Sequence, residues 1–236
     1  MIIDWNKYFS HIFIISKTDN FDKRTWLTSE LSRISLNNYH WWYNCDNKII
    51  QPMYNKFISE ELRYKRRQVQ QGHYTLIKTC YELGYDNVLI CEDDICFLKN
   101  IDSIKKILDD FESKKSNIDI YLFDYITVNK ILSKDFRLYS WSDCYYLNRK
   151  GMQYIIYCLE QSNEFIQDEL WFKGLNINSP IDVWENDDKT LHIDDLNILP
   201  INLKVSKEHL CIQKYETWPP NVYQEVEGID ENLYNK

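Results

Sequence analysis

The 236-residue chain reads as an α/β protein: a three-layer α/β/α sandwich with helices on both faces of a mostly parallel sheet. Three observations carry that expectation. Short apolar runs (Ile12 to Ile15, Val88 to Cys91, Ile118 to Tyr125) alternate with longer stretches of helical spacing. Strands covered on both faces read as continuous apolar runs, and the clearest of these do. No repeat or linker divides the chain, so a single domain over 1–236 is expected, with an irregular portion from about residue 176.

His11-Ile12-Phe13-Ile14-Ile15 is the first buried strand, followed by a polar loop from Ser16 to Asn20. From Asp22 the spacing of Trp26, Leu27, Leu31 and Ile34 predicts a helix. Lys23 and Arg24 lie near its start, where phosphates are attracted. Tyr39 to Ile50 is dense in aromatics (Trp41, Trp42, Tyr43) and predicts a second strand, broken by Gln51-Pro52. Ser59-Glu60-Glu61 combines a hydroxyl cap with acids in a first turn. Helical spacing then runs through Val69, His73, Leu76, Ile77, Cys80 and Leu83 to Gly84, a suitable terminator. A strand over Val88 to Cys91 comes next, then a helix marked by Ile104, Ile107, Leu108 and Phe111. Ile118 to Tyr125 is a further strand with Asp124 at its end; Leu138 to Leu147 holds another, and Gly151 to Leu159 is helical. Beyond that, Pro180, Pro200, Pro219-Pro220 and a run of acids from Asp182 to Asp195 leave no regular pattern.

Composition narrows the function. Hydrophobic residues are 44% and charged residues 27%, as in globular proteins. A net charge of -8 argues against a nucleic-acid partner, which needs a basic surface to replace counterions. The basic cluster Arg63 to Arg67 falls within a predicted helix and reads as a solvated face. The seven cysteines form no C-x-x-C pair, so neither a zinc site nor a disulfide framework is expected. Met1 to Ser10 lacks the pattern of a signal peptide, and no stretch approaches about 18 apolar residues. These features lead us to expect a reduced, cytoplasmic protein.

Chemistry concentrates at Glu92-Asp93-Asp94. Three adjacent carboxylates at the end of a buried strand repel one another and lose solvation. They are stable only against a cation or several well-placed donors, and a hard divalent ion such as Mn²⁺ or Mg²⁺ takes such oxygens readily. Open α/β sheets bind ligands beyond the C-terminal ends of their strands, where the loop after Ile15 and this triplet would both lie. The chain has neither G-x-x-x-x-G-K-[ST] nor G-x-G-x-x-G, and no G-x-S-x-G elbow. Ser16 stands where an aspartyl-phosphate enzyme would want Asp. A nucleotide-sugar transferase remains, its metal stabilising a departing diphosphate. A metal-dependent phosphoesterase or nuclease, and an inactive sugar-binding protein of the same fold, are the alternatives.

The order of motifs resembles glycosyltransferase family 25, which includes lipooligosaccharide and collagen galactosyltransferases. The resemblance is carried by Ile12 to Ile15, Asp22-Lys23-Arg24, Gly72-His73, Leu89-Ile90-Cys91-Glu92-Asp93-Asp94-Ile95-Cys96-Phe97 and Cys144-Tyr145-Tyr146-Leu147-Asn148-Arg149-Lys150-Gly151, and spans roughly residues 11 to 175. Ile166-Gln167-Asp168-Glu169 falls where the family has a V-D-E-like segment. Gly72 replaces the usual Ser, Lys23 the first Arg of a pair, and Gln167 interrupts the apolar lead.

The resemblance implies a GT-A-type fold and a hexosyl transfer, with inversion, from a UDP-sugar to a glycan or glycoprotein acceptor. It implies Glu92 and Asp94 as the outer acids of a D-x-D-like metal motif, with Asp93 facing the donor. Ser16 and Arg24 would lie near the nucleotide, and His73 matches a family position at the donor site. Asp168 or Glu169 would be the general base. His209, ahead of His192, would be a further metal ligand; Asp182 is an acceptor-contact candidate, and Trp184 and Trp218 could stack on sugars.

Overall fold

The computed structural model describes residues 2–44, 60–123, 126–127, 139–140, 144–161, 202–206 and 210–213. Along the chain they form β1 (His11–Lys17), α1 (Phe21–Arg33), β2 (His40–Asn44), α2 (Glu60–Glu82), β3 (Asn87–Glu92), β4 (Ile95–Phe97) and α3 (Ile101–Lys114). There follow β5 (Ile120–Leu122), β6 (Ile126–Thr127), β7 (Tyr139–Ser140), β8 (Cys144–Asn148), α4 (Arg149–Gln161), β9 (Leu203–Val205) and β10 (Cys211–Gln213).

Six strands make the central sheet in the order β2-β1-β3-β8-β5-β9. All run parallel except β8, which lies antiparallel to both β3 and β5. The strand period of two then sorts the core. Ile12, Ile14, Leu89 and Cys91 pack with Leu27 and Leu31 of α1 and with Ile104, Leu108 and Phe111 of α3. Their neighbours Phe13, Ile15, Val88 and Ile90 pack with Leu76, Ile77 and Cys80 of α2 and Met152, Tyr154 and Ile155 of α4. Two helices therefore cover each face, and the expected α/β/α sandwich with a mostly parallel sheet is the one observed.

Helix starts and stops follow local chemistry. Asn100 caps α3, its side-chain oxygen accepting from Asp102 N at 2.8 Å. Gly84, at φ 80°, follows α2 in the left-handed region that glycine adopts without strain. The apolar run after the acid triplet is more than a flank: Ile95 to Phe97 is a strand, paired antiparallel with β10. Periodicity over three residues was too short to reveal it.

Two polar staples hold the layers. Arg33, at the end of α1, pairs with Glu30 at 2.8 Å and donates to the carbonyls of Phe97, Leu98 and Lys99 at 3.0 to 3.2 Å. Arg33→Ala should lower stability by about 2–4 kcal/mol, because several acceptors and a buried carboxylate lose their partner together. Arg33→Lys should recover only part of it, since an ammonium cannot reproduce the planar fork. Urea unfolding of the three proteins measures both. The second staple is Asp119. Its carboxylate accepts from Asn148 Nδ2 at 2.8 Å, Asn202 N at 2.9 Å and Lys150 Nζ at 3.2 Å, joining β5, β8, α4 and the start of β9.

Candidate active site

The C-terminal ends of β1, β2 and β3 share one edge of the sheet, because the three strands are parallel and adjacent. Ser16 and Lys17 close β1, Tyr43 and Asn44 close β2, and Glu92 closes β3. Asp93 and Asp94 form the two-residue link between β3 and β4. The first turn of α1, with Lys23 and Arg24, packs against this edge.

Strand alternation divides the acids between two faces. Val88 and Ile90 face α2, so Glu92, two residues further on, faces α2 as well. There its Oε1 lies 3.1 Å from Nε2 of the buried His73, whose Nδ1 lies 2.6 Å from the hydroxyl of Tyr145 on β8. Asp93 turns to the α1 side. Its Oδ2 accepts from Ser16 Oγ at 2.6 Å and from Asn20 Nδ2 at 3.1 Å, and its Oδ1 lies 3.6 Å from Lys23 Nζ. Asp94 Oδ2 accepts from Lys23 Nζ at 2.9 Å.

Arg24 donates to the carbonyls of Lys17 and Thr18, and its Nη1 lies 3.5 Å from Ser16 Oγ. Its guanidinium also lies over the rings of Phe21 and Tyr43, 4.7 and 5.3 Å from their centroids. Both aromatics are exposed, so Arg24 is braced on the rim of the site.

The donors that three crowded carboxylates require thus come largely from within the chain: a hydroxyl, an amide, an imidazole and one ammonium. They leave a charge imbalance. Burial first, and then repulsion from Glu92, push the Asp94 carboxyl up to about 6, against the pull of Lys23. Burial alone would lower the Lys23 ammonium, but Asp94, Asp93 and Glu92 outweigh it and hold the pKa above its ordinary value.

Tested against a divalent ion, these residues fit in donor chemistry and charge. The oxygens are hard, and the electrostatics favour a second positive charge beside Glu92 and Asp94. The geometry is not that of a preformed cage. Among the described residues no three His, Cys, Asp or Glu side chains gather as a metal-ligand group, and Lys23 already lies on Asp93 and Asp94.

Of the residues expected from sequence, Ser16, Arg24, Asp93, Glu92, Asp94 and His73 are brought to this edge. Asp168, Glu169 and His209 lie outside the described residues, as do Asp124, Asp182, Trp184, His192 and Trp218. Sequence reasoning did not assign roles to Asn20 or Tyr145, and set Lys23 at the helix start without linking it to the acids. A signal for Lys23 was present: a cation in the first turn of the helix that follows β1 faces the edge to which β3 delivers its acids. Tyr145 needed the β3–β8 register, which pairs it with Ile90 on the face that Glu92 shares.

The class that fold and site define is an α/β sheet protein with an acid, hydroxyl and ammonium cluster at its parallel edge. No protein-family model and no curated protein matches the chain. Among solved structures it is similar to a glycosyltransferase involved in the glycosylation of the major capsid of PBCV-1, at 11% identity and TM-score 0.44, over 93% of this chain and 100% of that one. It is also similar to a nucleoside-diphosphate-sugar pyrophosphorylase from Vibrio cholerae RC9, at 12% identity and TM-score 0.32, over 98% and 85% of the two chains.

Proposed function

We propose that this chain is a glycosyltransferase that moves a hexose from a UDP-sugar to a glycan or protein-linked acceptor. The observation that carries the reading is the cluster of Ser16, Asp93, Lys23 and Asp94 where the loops after β1 and β3 meet. Crevices of this kind, beyond the C-terminal ends of parallel strands, are where open α/β sheets take nucleotides. The motif order that resembles glycosyltransferase family 25 adds the choice of donor.

In this reading Lys23 and Arg24, in the first turn of α1, meet the diphosphate, with the helix N-terminus behind them. A diphosphate offers Lys23 an alternative to Asp94, so donor entry frees that carboxylate. Asp93, held by Ser16 and Asn20, is oriented to accept from ribose or sugar hydroxyls. Glu92 and Asp94, with His209 as a third ligand, would hold Mn²⁺ or Mg²⁺, and the bound ion would neutralise charge on the departing diphosphate. Asp168 or Glu169 would take the proton of the acceptor hydroxyl, as an inverting transfer requires.

Incubation with a panel of UDP-sugars and Mn²⁺, with UDP release as the readout, tests the proposal. Slow hydrolysis of one donor is expected even without acceptor, dependent on the divalent ion and abolished by EDTA. Equal inertness toward every donor, with or without metal, would refute it.

A further inference from the structure

The contact of Glu92 with α2 belongs to a buried chain of three side chains from three elements. Tyr145 of β8, His73 of α2 and Glu92 of β3 lie in line, at 2.6 Å and then 3.1 Å. His73 and Tyr145 are 4% and 3% exposed, whereas Glu92 reaches the edge where Asp93 and Asp94 begin. The register that sets Tyr145 opposite Ile90 puts it one diagonal step from Glu92 on the same face.

Both ring nitrogens of His73 are thereby engaged, Nδ1 with the Tyr145 hydroxyl and Nε2 with the Glu92 carboxylate, so the ring cannot turn without losing both contacts. Burial first, and the Glu92 charge next, raise the Tyr145 hydroxyl well above its ordinary range, so it keeps its proton.

We infer that Tyr145 and His73 are positioning residues for Glu92: the Tyr145 hydroxyl anchors the His73 ring through Nδ1, and the anchored ring holds the Glu92 carboxylate in one orientation. The two-methylene stem of Glu92 would otherwise sample several rotamers at the strand end. Polar partners that lock a ligand carboxylate from behind tune affinity without touching the ligand. The consequence for binding rests on the donor-site reading above, whereas the anchoring of Glu92 does not.

The test uses metal-free protein labelled with ¹⁵N-histidine, near neutral pH. The chain has five histidines, so the His73 ring signals are assigned by their loss in His73→Gln. Tyr145→Phe, which keeps the ring and removes only the hydroxyl, should shift the His73 ring nitrogen signals and the ¹³C signal of the Glu92 carboxylate. Its Mn²⁺ affinity, read by electron paramagnetic resonance, should fall about tenfold or more. An unchanged histidine spectrum in Tyr145→Phe, or an unmoved Glu92 signal, would each overturn the inference. If wild type binds no Mn²⁺ at all, the metal assignment fails, and the nitrogen and carboxylate spectra still decide the relay.

Discussion

Asp94→Asn is expected to cut donor turnover by at least about a hundredfold while raising the melting temperature of the metal-free protein at pH 7. The first effect follows if Asp94 holds an ion whose charge stabilisation is worth several kcal/mol in the transition state. The second follows from electrostatics alone. The Asp94 carboxyl is raised from 3.8 to about 6 in the folded protein, so the native state holds its proton more tightly than the unfolded chain does. Stability therefore falls as pH rises from about 4 to about 6, and above that window the ionised carboxylate costs roughly 2–3 kcal/mol. Asparagine removes the charge and its repulsion with Glu92, while Lys23 keeps Asp93 at 3.6 Å. Calorimetry in EDTA should show the variant melting a few degrees higher than wild type at pH 7, with the gap closing near pH 4. A variant less stable than wild type at pH 7 would mean that Lys23 fully compensates Asp94. Trading stability for a strained charged group is common at functional sites.

Gly151→Ala should be a severely damaging single methyl addition. A Cβ at Gly151 would lie 2.2 Å from the carbonyl oxygen of Asp119 and 3.2 Å from the Ile120 side chain. Backbone is the obstacle, so no rotamer change relieves it. Relief would require α4 to lift from β5. That carbonyl also accepts from Asn148 N at 3.0 Å, and the Asn148 side chain accepts from Gly151 N at 2.8 Å. Lifting the helix therefore breaks a polar junction as well as apolar packing. A loss of about 4 kcal/mol or more is expected, against a total of about 5–15 for a typical domain. The measurement is the urea midpoint, or the soluble yield if the variant does not fold. A control at Gly84→Ala isolates the cause: its Cβ would meet nothing within 4 Å, and only the φ of 80° opposes it. That change should cost about 1–2 kcal/mol.

The layers of the fold were legible because apolar runs and helical spacing are local signals. Ile12 to Ile15 and Val88 to Cys91 became strands, and Ile104, Ile107, Leu108 and Phe111 became the buried stripe of α3. The site was legible in part. The triplet announced a need for compensation, and Ser16 and Arg24 were expected beside it. The answer came mainly as contacts between residues more than 70 positions apart, such as Lys23 with Asp94 and Tyr145 with His73. No sequence period encodes a contact of that range; it depends on which strands become neighbours. Reading the triplet as one unit also overlooked the pleat, which sends Glu92 and Asp93 to opposite faces of the sheet.

The pairing of β10 with β4 bears on how the molecule is made. β4 follows directly on Asp94, and its only described sheet partner is a strand that begins at Cys211. β9 likewise reaches back from Leu203 to extend β5. During synthesis the first three strands of the edge can assemble early, yet the turn that carries the acids stays unbraced on one side until more than a hundred further residues have emerged. Long-range closures of this kind are slow, and they leave β5 as an open edge in the interval. The nascent chain would therefore depend on its last described strands to bring the acids into their working arrangement, and assembly, more than chemistry, would set when the site comes into being.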